Sequence, residues 1–173
     1  MEAPRIPLEI ERKYLVRTPD LRALSALPGF SVSEIEQTYL PDPAPGMTER
    51  VRLRRYPDRV EYTRTVKTRI SPVEAREDET RITEEEYLAY LTRRDPALHT
   101  VSKKRITFTL GKQLYEVDLY PFWTRVAVLE TELTDPVRSA PIPPFLSVIR
   151  EVTGDRAYTN RSLARQIPPE PDI

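Results

Sequence analysis

Like charges recur at every second residue along this chain, and the rows they form are sorted by sign. Residues i and i+2 of a strand share a face, so an extended segment reads as two rows. Residues 8–16, LEIERKYLV, carry Glu9, Glu11 and Lys13 on one face, against Leu8, Ile10, Arg12 and Tyr14 on the other. Later segments repeat the pattern: Arg50, Arg52, Arg54; Thr63, Thr65, Lys67, Arg69; Glu77, Glu79; Lys103, Arg105; Glu116, Asp118; Glu130, Glu132. Apolar residues alternate with them, among them Val51 and Leu53, Ile106 and Phe108, Val117 and Leu119, Leu129 and Leu133. A single such strand reads as half-buried sheet with one solvated face. Solvated faces mix signs, however, and like charges spaced about 7 Å along a strand repel by on the order of a few tenths of a kcal/mol. Repetition on most strands makes sense if the rows face one another or hold ligands of opposite sign.

A closed barrel satisfies both conditions. About eight strands enclose an interior able to hold a small ligand; here the polar rows would line it and the apolar rows would pack outward under helices. The segments support this. Strands are predicted at 8–16, 34–40, 48–56, 59–70, 74–82, 101–110, 112–121 and 125–134. The third and fourth form a hairpin through a Pro-Asp turn, and the sixth and seventh one through Gly111. A helix is predicted after Thr18 as cap, with Pro19 at the first helical position. A second opens at Thr83, whose capping box with Glu86 precedes a run that ends at Arg93 and Arg94. Segments 143–154 and 155–166 both read as helical, with Asp155 a cap. The predicted fold class is therefore α+β: an eight-stranded antiparallel β-barrel with helices packed outside, one domain over 1–173, with 167–173 a frayed tail.

Composition narrows what such a barrel can do. Its 173 residues suffice for one domain with a real core. Lys+Arg and Asp+Glu are both 27, for zero formal net charge, so global charge predicts neither a nucleic-acid nor a membrane partner. With no cysteine and a single histidine, His99, thiolate and histidine-rich metal sites are excluded. There is no Gly-rich phosphate loop. No long apolar run and no signal-peptide core are present, which predicts a soluble, cytoplasmic protein. Eighteen prolines against four glycines predict stiff connections.

Function, if electrostatic, must then come from where charges sit. Arginine and lysine match phosphate oxygens, and arginine can bind them bidentately. Carboxylates supply the hard oxygens preferred by Mg²⁺ or Mn²⁺. A polyphosphate bridged by metal to one wall and bound by arginines on the other would neutralise both.

The sequence resembles the CYTH family, also called triphosphate tunnel metalloenzymes. The ExExK signature matches at Glu9, Glu11 and Lys13, and the likeness continues in order through QTYL, RVRLR, TVK, EDE, KKR, YEVDLY, LETEL and EVTGDRAYTNRSLA. The resemblance implies an eight-stranded tunnel acting on triphosphates with divalent metal. It implies Arg52, Arg54, Lys67, Lys103 and Arg105 as substrate contacts, with Arg50 on the same face. It implies Glu9, Glu11, Asp118, Glu130 and Glu132 as metal-side carboxylates, with Glu77 and Glu79 an acidic pair in the middle strand. An arginine often stands two residues before that pair in the family; here Ala75 holds the place and Arg76 is one position off, leaving that strand's register open. In small bacterial members a lysine–tyrosine pair handles protons, and the matching residues are Lys13 and Tyr39; Tyr39 reads equally well as a strand aromatic packing on its neighbours. An ammonium beside a phenol favours loss of the phenol's proton, and burial can lower a lysine. The sequence leaves open whether Lys13 acts as base, as base-activator or as phosphate ligand.

The expected function is metal-dependent hydrolysis of a triphosphate, with inorganic tripolyphosphate preferred, as in the small bacterial inorganic triphosphatases that the sequence resembles. An adenylate cyclase would use similar contacts but needs an adenine pocket, for which no motif is visible. Thiamine triphosphate hydrolysis lacks an aromatic clamp; Trp123 reads better as packing. A non-catalytic polyphosphate-binding module would not need the carboxylate wall. A homodimer is left open.

Overall fold

The computed structural model describes residues 8–133 and 140–173. Strands β1 (Leu8–Arg17), β2 (Ser31–Leu40), β3 (Met47–Arg55), β4 (Val60–Arg69), β5 (Glu74–Arg81), β6 (Val101–Leu110), β7 (Gln113–Leu119) and β8 (Val126–Glu132) pair antiparallel in the order 5-4-3-2-6-7-8-1. β1 then pairs back onto β5, closing the eight-stranded barrel. All eight predicted strands are present; Thr134, the last residue of the predicted eighth, lies outside the described residues. Gly111 makes the β6–β7 turn with φ 58°, where a side chain would be strained.

The alternation does what the charge rows predicted, with one qualification. Outer-face residues of β1, β6, β7 and β8 (Tyr14, Val16, Ile106, Phe108, Tyr115, Val117, Ala127 and Leu129) form a buried cluster with Leu24 of helix α1 (Leu21–Ser25). Val51, Leu53 and Leu40 pack under Tyr87 of helix α2 (Glu84–Leu91). The interior, however, is not charged along its whole length. Beyond Lys13 the inward row of β1 continues with Leu15, and that of β8 runs Glu130, Val128, Val126. These join Tyr39, Val101, Tyr120, Trp123, Tyr158, Leu163 and Ala164 in a cluster that fills this end of the barrel. Helix α3 (Asn160–Arg165) contributes the last two. Trp123 is thus a packing residue; its indole N–H donates to Pro168 O at 3.2 Å.

Four expectations are corrected. Segment 143–154 is not a helix: it contains strand β9 (Val148–Glu151), which pairs with β1. β5 covers the edge of β1 only at Leu8–Ile10, and β9 takes over at Tyr14–Val16, so the segment is extended by an unpaired edge rather than by its own pattern. Segment 155–166 is helical only in part, as a 3₁₀ turn at Arg156–Tyr158 capped by Asp155, and then α3. The cap of α1 is Asp20, not Thr18, whose N–H is taken by Arg125 O at 2.9 Å, keeping the chain extended through Pro19. The C-terminal stretch is anchored rather than frayed: the Glu170 carboxylate accepts the backbone N–H groups of Thr124, Arg125 and Val126 at the start of β8. The capping box of α2 forms as predicted, with Arg93 and Arg94 just past its C-cap, Thr92.

Candidate active site

Strand register brings the signed rows together. Lys13 is opposite Glu130, Glu11 opposite Glu132, and Glu116 opposite Glu130. Gln37 and Tyr39 are opposite Arg52 and Arg50, and Lys67 and Thr65 opposite Glu77 and Glu79. The register of β5 is thereby fixed: Ala75, Glu77 and Glu79 share the inward face and Arg76 is turned out. A cavity of ≈ 530 Å³ results, lined by Glu9, Glu11, Lys13, Tyr39, Arg50, Arg52, Arg54, Lys67, Glu77, Glu79, Arg105, Glu130 and Glu132, all of them predicted site residues. Glu116, Arg69, Thr48, and Thr159, Asn160 and Arg161 at the start of α3 also line it. Glu116 and Arg69 stood in the charge rows but were not assigned a role; the sequence predicts a helix at α3 but nothing in it marks Thr159, Asn160 and Arg161 as lining, because where α3 sits comes from packing.

Lys103 and Asp118 are not in the lining. Both side chains have zero exposure, and Lys103 Nζ lies 2.6 Å from Asp118 Oδ2. Arg105 Nε and Nη2 donate to the two Asp118 oxygens at 2.7 and 2.8 Å. Behind the wall, the Asp118 carboxylate thus bonds both Lys103 and Arg105, and the pair holds Arg105 in place. Burial would lift Asp118, but Arg105 and Lys103 outweigh it and hold the carboxyl below its usual range. Burial and then Arg105 push Lys103 down to about 8 despite Asp118.

The carboxylate wall is unevenly paired. Glu130 is bound by Lys13 at 3.1 Å and by Arg105 Nη2 at 3.1 Å, and these cations hold it well below the usual range although burial opposes them. Glu11 has the opposite fate: burial and then Glu130 lift it. Burial also lifts Glu9, Glu116 and Glu132, and Glu132 is lifted further by Glu9, Glu116 and Glu11. Lys67 Nζ is 2.7 Å from Glu9 Oε2, an ion pair off the usual hydrogen-bond directions. At Lys13 burial alone would lower the group, but Glu130 and Glu11 prevail and hold the ammonium above its ordinary value. Among the described residues Lys13 and Tyr39 do not bond to each other; Lys13 donates to Tyr158 O at 3.5 Å, and the Tyr39 hydroxyl meets Gln37 at 3.2 Å.

The basic wall is short of counter-charge. Arg50 pairs with Glu77 at 3.2 Å, whereas Arg52 reaches only the half-exposed Glu79, at 3.9 Å. The Nε–H groups of both arginines are buried without an acceptor. Burial, then Arg50 and Arg105, push Arg52 down to about 10. Arg54 is steadier, donating to Ser33 Oγ at 2.9 Å with its guanidinium 4.7 Å from the Tyr56 ring centroid. Buried guanidinium donors without acceptors, facing carboxylates that repel one another, form a site that becomes stable when an anion meets one wall and a cation the other.

No family model matches the chain, and no curated protein matches it in sequence. Solved structures do. The inorganic triphosphatase NE1496 is 28% identical over 92% of this chain and 96% of its own, with a TM-score of 0.55. PH1819 from Pyrococcus horikoshii OT3 is 20% identical over 73% of this chain and 79% of its own, TM-score 0.56, and shares the fold. So does HpAC1 from Hippeastrum, described as an adenylyl cyclase with a dominant triphosphatase activity, at 14% identity over 73% of this chain and 81% of its own, TM-score 0.53. The chain therefore has the fold of a triphosphate tunnel and resembles the inorganic triphosphatase NE1496 over nearly its whole length.

Proposed function

We propose that this chain hydrolyses a phosphoanhydride bond of a triphosphate with the help of a divalent metal, and that inorganic tripolyphosphate is its substrate. The observation that carries this reading is the unmet demand of the basic wall: two buried guanidinium N–H groups lack acceptors, and Arg52 is short of an anion. Phosphate oxygens have the charge and the geometry to meet both. NE1496, similar along the length of the chain, is an inorganic triphosphatase. The inorganic substrate is supported by the lining itself, in which Tyr39 is the only aromatic side chain among the described residues, leaving nothing to stack an adenine or a thiazolium.

Arg50, Arg52, Arg54, Lys67 and Arg105 would bind and orient the phosphates. Lys13, kept as an ammonium by Glu130 and Glu11, would act as a further cation at the transferring group and not as a free-amine base. A divalent cation fits the opposite wall chemically. Glu11, Glu116, Glu130 and Glu132 offer only hard oxygens, and three of the four are lifted by burial and mutual repulsion that a cation would relieve. Among the described residues no three acidic groups already stand together as a coordination set, so the protein alone does not complete one. When bound, Mg²⁺ or Mn²⁺ would polarise phosphoryl oxygens and supply a nucleophilic water. In the net reaction the water oxygen bonds to a terminal phosphorus and the bridging P–O bond breaks. Orthophosphate and pyrophosphate leave, and a proton is released.

The test is phosphate release from tripolyphosphate, ATP and thiamine triphosphate, each with Mg²⁺ and with Mn²⁺. Tripolyphosphate is expected to turn over fastest, with pyrophosphate as co-product. Arg52→Ala is expected to lose about 10²–10³-fold in kcat/KM, and Glu130→Gln to lose comparable turnover. Tight metal-independent binding of tripolyphosphate without turnover would establish a binding module instead; cyclic nucleotide formed from ATP would establish a cyclase.

A further inference from the structure

Gln37 lies two residues before Tyr39 on the inward face of β2 and is fully buried. Its amide N–H₂ donates to the Tyr39 hydroxyl oxygen at 3.2 Å, and its carbonyl oxygen accepts from Arg52 Nη2 at 3.3 Å. The direction of both bonds is dictated by chemistry. A guanidinium has donors and no acceptor, so the Gln37 oxygen must face Arg52. The amide then has only N–H to offer the phenol, which must accept. Arg50, the register partner of Tyr39, is likewise a donor only. With Gln37 donating to its oxygen, the phenol's own O–H is left to point elsewhere, and Tyr39 lines the cavity.

We infer that Gln37 is a positioning residue that locks the Tyr39 hydroxyl as a hydrogen-bond donor into the cavity while fixing the Arg52 guanidinium beside it. The inference rests on the triphosphate reading above: the recipient of the Tyr39 proton is a phosphate oxygen that gains charge as the bridging bond breaks. An amide suits the position because it presents an acceptor to one neighbour and a donor to the other. A carboxylate would still accept from Arg52, but it would also accept from the phenol and so turn the O–H away from the cavity.

That difference supplies the experiment. Gln37→Glu, Gln37→Leu, Tyr39→Phe and the double variant Gln37→Glu/Tyr39→Phe are assayed on tripolyphosphate with Mg²⁺, and binding is followed separately by the thermal shift it induces. Gln37→Glu and Tyr39→Phe are each expected to lower kcat by about 10²-fold while KM moves less than about threefold. The double variant is expected to be no slower than the worse single one, because both remove the same donor. Gln37→Leu, which frees Arg52 as well, is expected to lower kcat and raise KM together. Wild-type kcat in Gln37→Glu, or losses that multiply in the double variant, would overturn the inference even if the wild-type chain is a good triphosphatase. A wild-type chain inert towards every triphosphate would overturn both readings.

Discussion

Glu11 is a carboxylate whose surroundings favour its neutral form: burial lifts it first, then Glu130, and Lys13 and Lys67 only partly offset them. In the folded chain Glu9, Glu11, Glu116 and Glu132 all bind protons more tightly than an unfolded carboxylate does. From about pH 4, where unfolded carboxylates titrate, up through the raised folded values, these groups make stability fall as pH rises. Asp118 and Glu130 work in the opposite sense. Their depressed folded values give stability that is present above about pH 4 and is lost as pH falls through them. Without ligands, the melting temperature is therefore expected to be highest in mildly acidic buffer and to decline towards neutrality. Mg²⁺ should raise it more at pH 7.5 than at pH 4.5; equal shifts at the two would contradict the carboxylate wall as its site. Glu11→Gln removes a repelling charge and should raise the ligand-free melting temperature by on the order of 2–4 °C, about what 1 kcal/mol does in a chain of this size, while shrinking the Mg²⁺ shift. The lysines make a related point. Sequence alone allowed either sign at Lys13; in the fold it is raised, and it is Lys103, buried beside Arg105, that is lowered, because the sign of a shift depends on which charges lie across the barrel.

Strands were legible because parity is local: once residues 8–16 or 101–110 are extended, every second side chain must face the interior, and nearly all of the cavity lining follows. The short C-terminal elements were not. Val148–Glu151 becomes a strand because β1 has a vacant edge there, a fact about β5 ending early that no window around residue 148 contains. For a kindred reason, parity puts Asp118 and Lys103 on the inward side of the sheet but does not show that they pair with Arg105 behind the cavity lining. The loop after β9 has its own constraint. Gly154 has φ 74°, and a Cβ there would sit 2.7 Å from Pro72 Cβ in the β4–β5 turn. Its neighbour Thr153 accepts the Lys13 N–H at 2.9 Å. Gly154→Ala is therefore expected to destabilise by at least about 1–2 kcal/mol, read as a lower melting temperature, and to slow turnover by disturbing Lys13. A fully active, equally stable variant would show that the loop is free to move away.

At the scale of the whole molecule, the cylinder is closed by an uneven set of joints. Most neighbouring strands share seven to nine register pairs, but β7 and β8 share three, and so do β1 and β5 where the barrel closes: Leu8–Arg76, Glu9–Ala75 and Ile10–Glu74. Just past this joint a second cavity of ≈ 290 Å³ opens between Ser71–Pro72 and Val152–Arg156, with Glu11 and Lys13 in its lining. Amide hydrogen exchange is expected to be fastest, among barrel strands, at the backbone of β1 and β5 along this joint; uniform protection around the barrel would contradict that. The side chains that bridge the joint, Glu9 to Lys67 and Lys67 to Glu77, belong to the same two charged walls. Occupancy of the cavity should thus act as a clasp: the chain would be a loosely laced cylinder when empty and a tightly laced one when loaded, and deuterium uptake along a single seam would report on the ligand without any chemistry taking place.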